Sequence, residues 1–209
     1  MKKHMIIAAL LFVASGLFAQ TNLLTDGGFE ALTAGTKNYV VNNGGKVTGK
    51  TGKWQLTFAK GACSDTCAKG TSQIVSTEKK TGNNCIQIVI EKQTNRNDIR
   101  LFQTMVGVRG GQYEVSFWAK SDGVNPITVD ILKTTQPNSN NGAVPFSAGF
   151  TTSKEWQQYK YVVDISEWTA EELAEIRVSI RPNNFKALPV GPFPKTFWID
   201  DVVFTPVTK

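Results

Sequence analysis

Short segments in which apolar and polar residues alternate dominate the chain. The alternation is clearest in residues 86–90, 113–119, 127–131 and 176–180, where every second position is Ile, Val, Tyr, Phe or Ala. Successive side chains of a β-strand point to opposite faces of a sheet, so a period of two predicts a strand with one buried face. The pattern therefore predicts at least four half-buried strands.

Turn-forming residues separate these segments. Runs rich in glycine, asparagine, serine or proline occur at residues 44–45, 82–84, 110–111, 121–123 and 137–142. Many short strands divided by such turns are typical of a β-sandwich or a β-barrel. Only residues 166–175 favour a short helix, with Ser166 as a candidate N-cap and several acidic residues after it. The sequence thus predicts a single all-β domain.

The first nineteen residues have the pattern of a secretory signal peptide. Lys2 and Lys3 precede the apolar run 5–13, and the segment closes on Leu17-Phe18-Ala19. The run is shorter than the roughly 20 apolar residues that a membrane-spanning helix requires. We therefore expect cleavage after Ala19 and a mature domain of residues 20–209. The expected location is secreted or periplasmic, without a membrane span.

The charge of the chain argues against nucleic-acid binding. The formal net charge of +6 includes Lys2 and Lys3, so it falls to +4 without the signal peptide, and the remaining basic residues are scattered. Nucleic-acid sites need clustered lysines and arginines. The signal peptide also carries the one histidine, His4. The mature domain therefore has no histidine to activate a nucleophile or to bind zinc.

Three cysteines remain in the mature domain, and an odd number leaves one of them unpaired. Cys63 and Cys67 lie in a polar loop between Gly61 and Gly70, where a short bridge can close without distorting a strand. We predict a Cys63–Cys67 disulfide. A redox-active pair is the alternative, but it would need an adjacent helix N-terminus, which the sequence does not predict. Cys85 precedes alternating isoleucines and is predicted to be a small buried residue.

Several motifs have the order and spacing of a known family. They are Asn22–Glu30, Gly52 with Trp54, Gly110–Tyr113 leading into Phe117–Lys120, Glu155–Tyr159 and Ile199–Val202. On these motifs the chain resembles the galactose-binding-like jelly rolls, and among them the carbohydrate-binding modules of families four, nine, sixteen and twenty-two. The resemblance implies a single-domain jelly-roll β-sandwich that binds poly- or oligosaccharide on a concave sheet face without cleaving it. Residues 36–80 depart from the family pattern because this stretch is longer and holds its own cysteine pair.

The resemblance also implies a structural calcium ion. In the family, the Glu of the opening motif and an Asp of the closing motif are usually ligands; these correspond here to Glu30 and Asp201, with Asp200 as the alternative. Calcium prefers oxygen ligands, and further oxygens would come from the backbone of residues 26–28 and 48–53. Carboxylates from distant strands would repel each other without a cation between them. The alternative is that Glu30 and Asp201 are solvated or paired with lysines.

The alternation also predicts which side chains of the middle strands face away from the core. The candidate ligand-binding residues are Trp118, Arg100, Phe102, Asp130, Arg177 and Arg181. Gln103 joins them if a β-bulge shifts the register of its strand. A tryptophan ring suits the C–H face of a sugar, and planar charged groups pair with its hydroxyls. The arginines favour an acidic glycan unless they pair with Asp130 and Glu114. The alternative is that a loop covers Trp118.

Glycoside hydrolysis and protein interaction are the alternatives to carbohydrate binding. Glycoside hydrolysis needs two carboxylates across a cleft, and the predicted face offers Asp130, with Glu114 as a weak second candidate. We therefore expect no enzymatic activity. The other alternative is an adhesin or protein-interaction domain of a surface assembly on the same fold. That function would need a flatter, more apolar patch around Trp118.

Overall fold

The computed structural model describes residues 21–36, 54–58, 68–93, 99–133, 146–184 and 192–207. These residues form ten strands and one short helix: β1 (Gln55–Phe58), β2 (Lys69–Val75), β3 (Cys85–Lys92), β4 (Ile99–Val106), β5 (Gln112–Ser121), β6 (Asn125–Lys133), β7 (Phe146–Thr152), β8 (Gln157–Asp164), α1 (Ala170–Leu173), β9 (Glu175–Pro182) and β10 (Lys195–Pro206). All four strands predicted from the alternation are present, as β3, β5, β6 and β9.

The strands form two five-stranded sheets. Sheet A has the order β2-β3-β10-β5-β8, and sheet B has the order β1-β4-β9-β6-β7. Neighbouring strands in both sheets are antiparallel. The protein is therefore the predicted jelly-roll β-sandwich. β10 and β9 are the central strands of their sheets, so residues on these two strands have neighbours on both sides.

The inner faces of the two sheets enclose one hydrophobic core. The fully buried core side chains include Ile86, Ile88, Val115, Phe117, Ile127, Val129, Val178, Ile180, Phe197 and Ile199. They recur at every second position of their strands, as the sequence pattern predicts. The polar residues between them consequently face outward, on sheet A or on sheet B.

The opening motif is tied to the last strand. The Asn22 side chain donates to Val202 O at 3.1 Å, and its Oδ1 accepts from the backbone N–H of Leu24 and of Phe204. Gly27 lies so close to β10 that a Cβ there would be 2.0 Å from Val202 O. A glycine is therefore required at this position for the two segments to pack together.

The short helix begins three residues later than the sequence predicts. Thr169 is the N-cap of α1, where its side chain accepts from the Glu172 N–H while the Glu172 side chain accepts from the Thr169 N–H. Ser166 was therefore the wrong cap. The reciprocal Thr/Glu pair at this spacing is a capping box, which satisfies two helix-terminal donors at once.

Several sequence predictions concern residues outside the described part of the chain. These are the signal peptide at residues 1–19, the Cys63–Cys67 disulfide and the backbone ligands at residues 48–53. Cys85 is described, is fully buried and has a free thiol, in agreement with the prediction. No helix among the described residues is long and apolar enough to cross a membrane.

Candidate functional site

The outer face of sheet B gathers most of the predicted ligand-binding residues. We call this surface the arginine face and define it by Arg100 and Phe102 on β4, Arg177, Ser179 and Arg181 on β9, and Asp130 on β6. Phe102 and Asp130 flank Ser179 from opposite sides in the strand register. The three strands are adjacent in sheet B, so these residues form one continuous patch.

An ion pair lies in the floor of the arginine face. Arg181 Nη2 donates to Asp130 Oδ1 at 2.7 Å, and Arg181 Nε lies 2.5 Å from Asp130 Oδ2. Ser147 Oγ on β7 donates to the same Asp130 Oδ1 at 2.7 Å. Asp130 is 1% exposed and Arg181 is 7% exposed, so each charge depends on the other for solvation. This pair accounts for one of the three arginines.

Arg177 is held differently. Its guanidinium lies 4.3 Å from the centre of the Phe102 ring, and its Nε donates to Thr104 Oγ1 at 3.4 Å. Burial lowers the pKa of Arg177; Glu175 opposes this effect, and the positive charge of Arg100 adds to it. The Phe102 ring is thus in cation–π contact with Arg177.

A hydroxyl without a partner lies at the centre of the patch. Ser179 is fully buried, and its Oγ makes no hydrogen bond to any residue that the structure describes. Burying an unsatisfied hydroxyl costs roughly 1–3 kcal/mol, and such groups are rare enough to need an explanation. The floor of the arginine face therefore has an unused hydrogen-bonding group between its charged residues.

Trp118 does not belong to this face. It lies on β5 in sheet A, opposite Asp200 on β10 and Gln158 on β8, so it is on the other side of the sandwich from the arginines. Its ring is covered by Lys80, whose Nζ is 4.1 Å from the ring centre. Placing Trp118 with the arginines was wrong because alternation shows which residues share a face of one strand, but not which sheet the strand joins.

Gln103 is also absent from the face. β4 pairs with β9 without a register shift, so no bulge turns Gln103 outward. The side chain is fully buried, where its amide accepts from the Thr25 N–H at 2.7 Å and donates to Thr25 O at 2.8 Å. Gln103 therefore binds the opening segment as a neighbouring strand would, and the conditional prediction for it fails.

Two polar residues beside the face were not predicted from the sequence. Thr104 accepts a hydrogen bond from Arg177, and Ser147 donates one to Asp130. Ser147 could have been found, because Phe146, Ala148 and Phe150 alternate with small polar residues or glycine in β7. Nothing in the sequence indicates that β7 lies beside β6 and not in the other sheet.

Outward side chains of sheet A form a second cluster, around Lys120. The Lys120 Nζ lies 4.9 Å from the ring centre of Trp198 and 5.7 Å from that of Trp156, and it also pairs with Glu78. The tryptophan rings of this sheet are thus occupied by lysines of the same chain. Trp118, Trp156 and Trp198 are half-buried, and each has a lysine Nζ within about 6 Å of its ring centre.

Two of the predicted metal-ligating carboxylates, Asp200 and Asp201, lie near Gly28, whereas the Glu30 carboxylate lies near Gly82, where a Cβ would be 2.1 Å from Glu30 Oε1. A Cβ built at Gly28 would lie 3.4 Å from Asp201 Oδ1, 3.6 Å from Glu30 Cγ and 3.8 Å from Asp200 Oδ1. The turn is strained, because Phe29 and Asp201 have positive φ angles of 58° and 47°. The register of β10 shifts between Asp200 and Val203, where a bulge brings consecutive carboxylates together.

The three carboxylates differ in their hydrogen bonds. Asp200 accepts from the backbone N–H groups of Lys80 and Thr81 through Oδ2, and from the Asp201 N–H through Oδ1. Burial raises the pKa of Asp200 to about 6, and the negative charge of Asp201 adds to this effect while the N–H donors oppose it. Both oxygens of Asp200 are thus engaged in fixing the backbone.

Glu30 and Asp201 suit calcium better than Asp200 does. Glu30 Oε1 accepts from the Asn83 and Asn84 N–H groups, and Asp201 Oδ2 accepts from Thr81 Oγ1 at 2.6 Å, which leaves Asp201 Oδ1 on the side of Gly28. The described residues contain no group of three or more His, Cys, Asp or Glu arranged to hold a metal. A metal here would need backbone oxygens besides the two carboxylates, and an all-oxygen donor set suits calcium.

The two carboxylates considered for catalysis are far apart. Asp130 is on sheet B, whereas Glu114 is on sheet A and pairs with Lys160 at 3.1 Å. Glycoside hydrolysis places both carboxyl groups on either side of one scissile bond. Asp130 and Glu114 cannot form such a pair.

Solved structures of carbohydrate-binding modules share this fold. A protein from Bacteroides thetaiotaomicron, whose sugar-binding role is itself a proposal, aligns with a TM-score of 0.62 at 16% identity, over 90% of this chain and 100% of its own. A family-four module aligns with a TM-score of 0.53 at 20% identity, over 74% of this chain and 87% of its own. The module TmCBM61, solved with β-1,4-galactotriose, aligns with a TM-score of 0.53 at 16% identity, over 90% of this chain and 99% of its own.

No protein-family profile matches the chain, and no curated protein does. The similarity therefore lies in the three-dimensional arrangement of the strands, at identities of 20% or less in these three structures. The two sheets and the strand segments predicted from the sequence agree with it. The chain has the jelly-roll β-sandwich fold of the carbohydrate-binding modules.

Proposed function

We propose that this protein is a secreted, non-catalytic carbohydrate-binding module that holds its glycan on the arginine face. The observation that carries this proposal is the continuous patch on β4, β9 and β6, where arginines, an aspartate and a buried serine hydroxyl surround one phenylalanine. Phe102 is 3% exposed, so the polar groups of the patch, and not its ring, would make the contacts to a polysaccharide. The fold shared with carbohydrate-binding modules supports the same function.

Binding would rely on groups that are already in place. The Asp130–Arg181 pair and the Arg177–Phe102 stack fix their side chains before a ligand arrives. A preorganised site loses less conformational entropy when it binds than a mobile one does. Arg100 and Arg177 are half-buried, whereas Asp130 and Ser179 lie deeper. A glycan would therefore meet the two arginines first.

Two variants on opposite sheets test the proposal. We expect the mature protein to bind a subset of a glycan array, Arg100→Ala to lower the affinity for that subset about tenfold, and Trp118→Ala to leave it unchanged. The size of the loss corresponds to one charge-assisted hydrogen bond. Isothermal titration calorimetry with the glycan found on the array measures all three proteins.

Two outcomes would contradict the proposal in different ways. If Trp118→Ala abolishes binding and Arg100→Ala does not, the glycan lies on sheet A. If the folded protein binds no glycan, the alternative function gains support, namely an adhesin or protein-interaction domain. For that function, pull-down with surface proteins of the same cell would be the next experiment.

We also propose that Glu30 and Asp201 hold a structural calcium ion between the opening turn and the bulge of β10. Both side chains accept hydrogen bonds from residues 81–84, and this shared contact supports the proposal. The ion would join chain segments that are distant in sequence and would neutralise their carboxylates. Its effect would therefore be on stability, and the glycan on sheet B would not contact it.

Export is the remaining part of the proposal. It rests on the sequence pattern of residues 1–19, with Lys2 and Lys3 before an apolar run. Mass spectrometry of the protein from the periplasm or the medium should find Gln20 as the first residue. A chain that retains residues 1–19 and stays in the cytoplasm would contradict it.

A further inference from the structure

Arg177 is a half-buried cation without a carboxylate partner in the part of the chain that the structure describes. Its described interactions are the stack on Phe102 and one long hydrogen bond from Nε to Thr104. Arg181 on the same strand pairs with Asp130, and Lys120 and Lys133 pair with Glu78 and Glu172. Arg177 thus differs from these cations, although it is also withdrawn from water.

The surroundings of Arg177 disfavour its charge. Burial removes hydration from the guanidinium, and the nearby Arg100 adds a like charge, while Glu175 offsets part of both effects. A bound anion would restore the lost solvation of the charged form. The local field therefore favours an anionic ligand over a neutral one.

The orientation of Arg177 also suits an anion with two oxygens in one plane. The guanidinium lies 4.3 Å from the centre of the Phe102 ring, and its Nε donates a hydrogen bond to Thr104 Oγ1. The two Nη groups make no hydrogen bond within the described residues and form one end of the planar fork. A carboxylate matches that fork with two parallel hydrogen bonds.

We propose that the arginine face selects glycans that contain uronic acid units, and that Arg177 binds the uronate carboxylate. This inference rests on the proposed function, since it concerns the same surface. Asp130 does not compete with the ligand for Arg177, because its two oxygens are engaged by Arg181 and Ser147. Arg100 strengthens the attraction through its charge.

The main comparison is between uronate oligosaccharides and their methyl esters, which lack the negative charge of the carboxylate. The probes are oligogalacturonate, oligomannuronate and the methyl ester of each at the same chain length, with a sulfated galactan and neutral galacto-oligosaccharides as further probes. We expect at least one free acid to bind about tenfold or more tightly than its ester, since the ester loses the charge-assisted pair. This preference should weaken as the salt concentration rises.

Arg177→Gln separates the role of this residue from general charge. It should bring the affinity for the free acid down to about that for the ester and leave the affinity for the ester nearly unchanged. Arg109→Gln is the matched control, because Arg109 is exposed outside the arginine face, and it should keep the full preference. If Arg177→Gln does not fold, Arg177→Lys keeps the charge, loses the fork and should retain only part of the preference.

The outcomes distinguish this inference from the function on which it rests. Equal affinity for acid and ester, a preference that survives Arg177→Gln, or tighter binding of the sulfated galactan would overturn the uronate assignment. In each of these cases carbohydrate binding itself would stand. Absence of binding to every probe and to the glycan array would overturn the proposed function, and the uronate assignment with it.

Discussion

At the scale of single residues, the arginines of the arginine face have different kinds of partner. Arg181 and Asp130 neutralise each other in the floor, whereas Arg177 is held by an aromatic ring and a hydroxyl. The two arginines are four positions apart on β9 and face the same side. Substitutions at the two sites should therefore differ in kind: one mainly affects folding, the other mainly affects binding.

Asp130→Asn should lower the free energy of unfolding by about 3–5 kcal/mol, because it leaves the buried Arg181 charge without a counter-ion. Glu114→Gln is the control, since it breaks the more exposed pair with Lys160 and should cost less than about 1 kcal/mol. Guanidinium unfolding curves measure both values. A loss for Asp130→Asn no larger than that of the control would show that the Arg181 charge finds solvation elsewhere.

The thiol of Cys85 should be inert in the folded protein. It is fully buried, and burial raises its pKa to about 12, with the negative charges of Asp200 and Glu78 adding to the effect. Titration with a chromogenic disulfide at pH 8 should find no reactive thiol before unfolding. In guanidinium it should find one thiol if Cys63 and Cys67 are bridged.

The same titration has outcomes that contradict each part of this prediction. Three thiols in guanidinium would exclude the Cys63–Cys67 bridge. Rapid modification of the folded protein that disappears in Cys85→Ala would show that Cys85 is accessible. In denaturant, the Cys85→Ala variant should give no thiol at all, which calibrates the count.

At the scale of elements, the alternation predicted four of the described strands, but it did not predict the sheet to which each strand belongs. β3, β5, β6 and β9 follow from alternation, because burial of one face requires apolar residues at every second position. Trp118 and Arg177 both face outward as expected, yet their strands belong to different sheets. Sheet membership depends on contacts between residues distant in sequence, which a local pattern does not contain.

Gln103 and Thr169 show two other limits of the sequence. Gln103 is a polar residue at an inward position, and its amide is satisfied by the backbone of Thr25, 78 residues away. Thr169 and Glu172 form a reciprocal capping box at the start of α1, whereas the residue three positions after Ser166 is a threonine and not an acid. The pattern of hydrophobic residues alone does not show whether Gln103 faces inward or which residue is the N-cap. In both cases the hydrogen bonds determine the outcome.

The opening turn and the β10 bulge should respond to calcium. With calcium at about 100 times its dissociation constant, the stabilisation is about 2.7 kcal/mol, which corresponds to a rise of about 5–10 °C in Tm for a chain of this size. The expected result is a Tm that falls with EDTA and recovers with added calcium. Differential scanning calorimetry measures it without any glycan.

Glu30→Gln should abolish most of this calcium response, and Glu114→Gln should retain it. Both variants remove one carboxylate, but Glu114 lies on the outer face of sheet A and pairs with Lys160. Equal Tm values in EDTA and calcium for the unsubstituted protein would contradict the proposed ion. In that case the N–H groups of Asn83 and Asn84 alone would account for the position of Glu30.

At the scale of the whole molecule, the outer faces of the two sheets carry different side chains. Sheet A carries tryptophans covered by lysines of the same chain, whereas sheet B carries the arginine face. A glycan on sheet B would leave sheet A exposed on the opposite side. The proposed function would thus use the outer face of sheet B, while the half-buried tryptophans of sheet A keep their contacts with lysines of the same chain.

The bonds of Asn22 have a consequence for the order of events in the cell. Asn22 accepts from the Phe204 N–H across 182 positions, and β10, which contains Phe204, is the central strand of sheet A. While the ribosome is still making the chain, the strands on either side of β10 have no neighbour between them. Sheet A therefore cannot be completed before β10 has been made, and in the proposed export this order would keep the nascent chain open for a translocation pore.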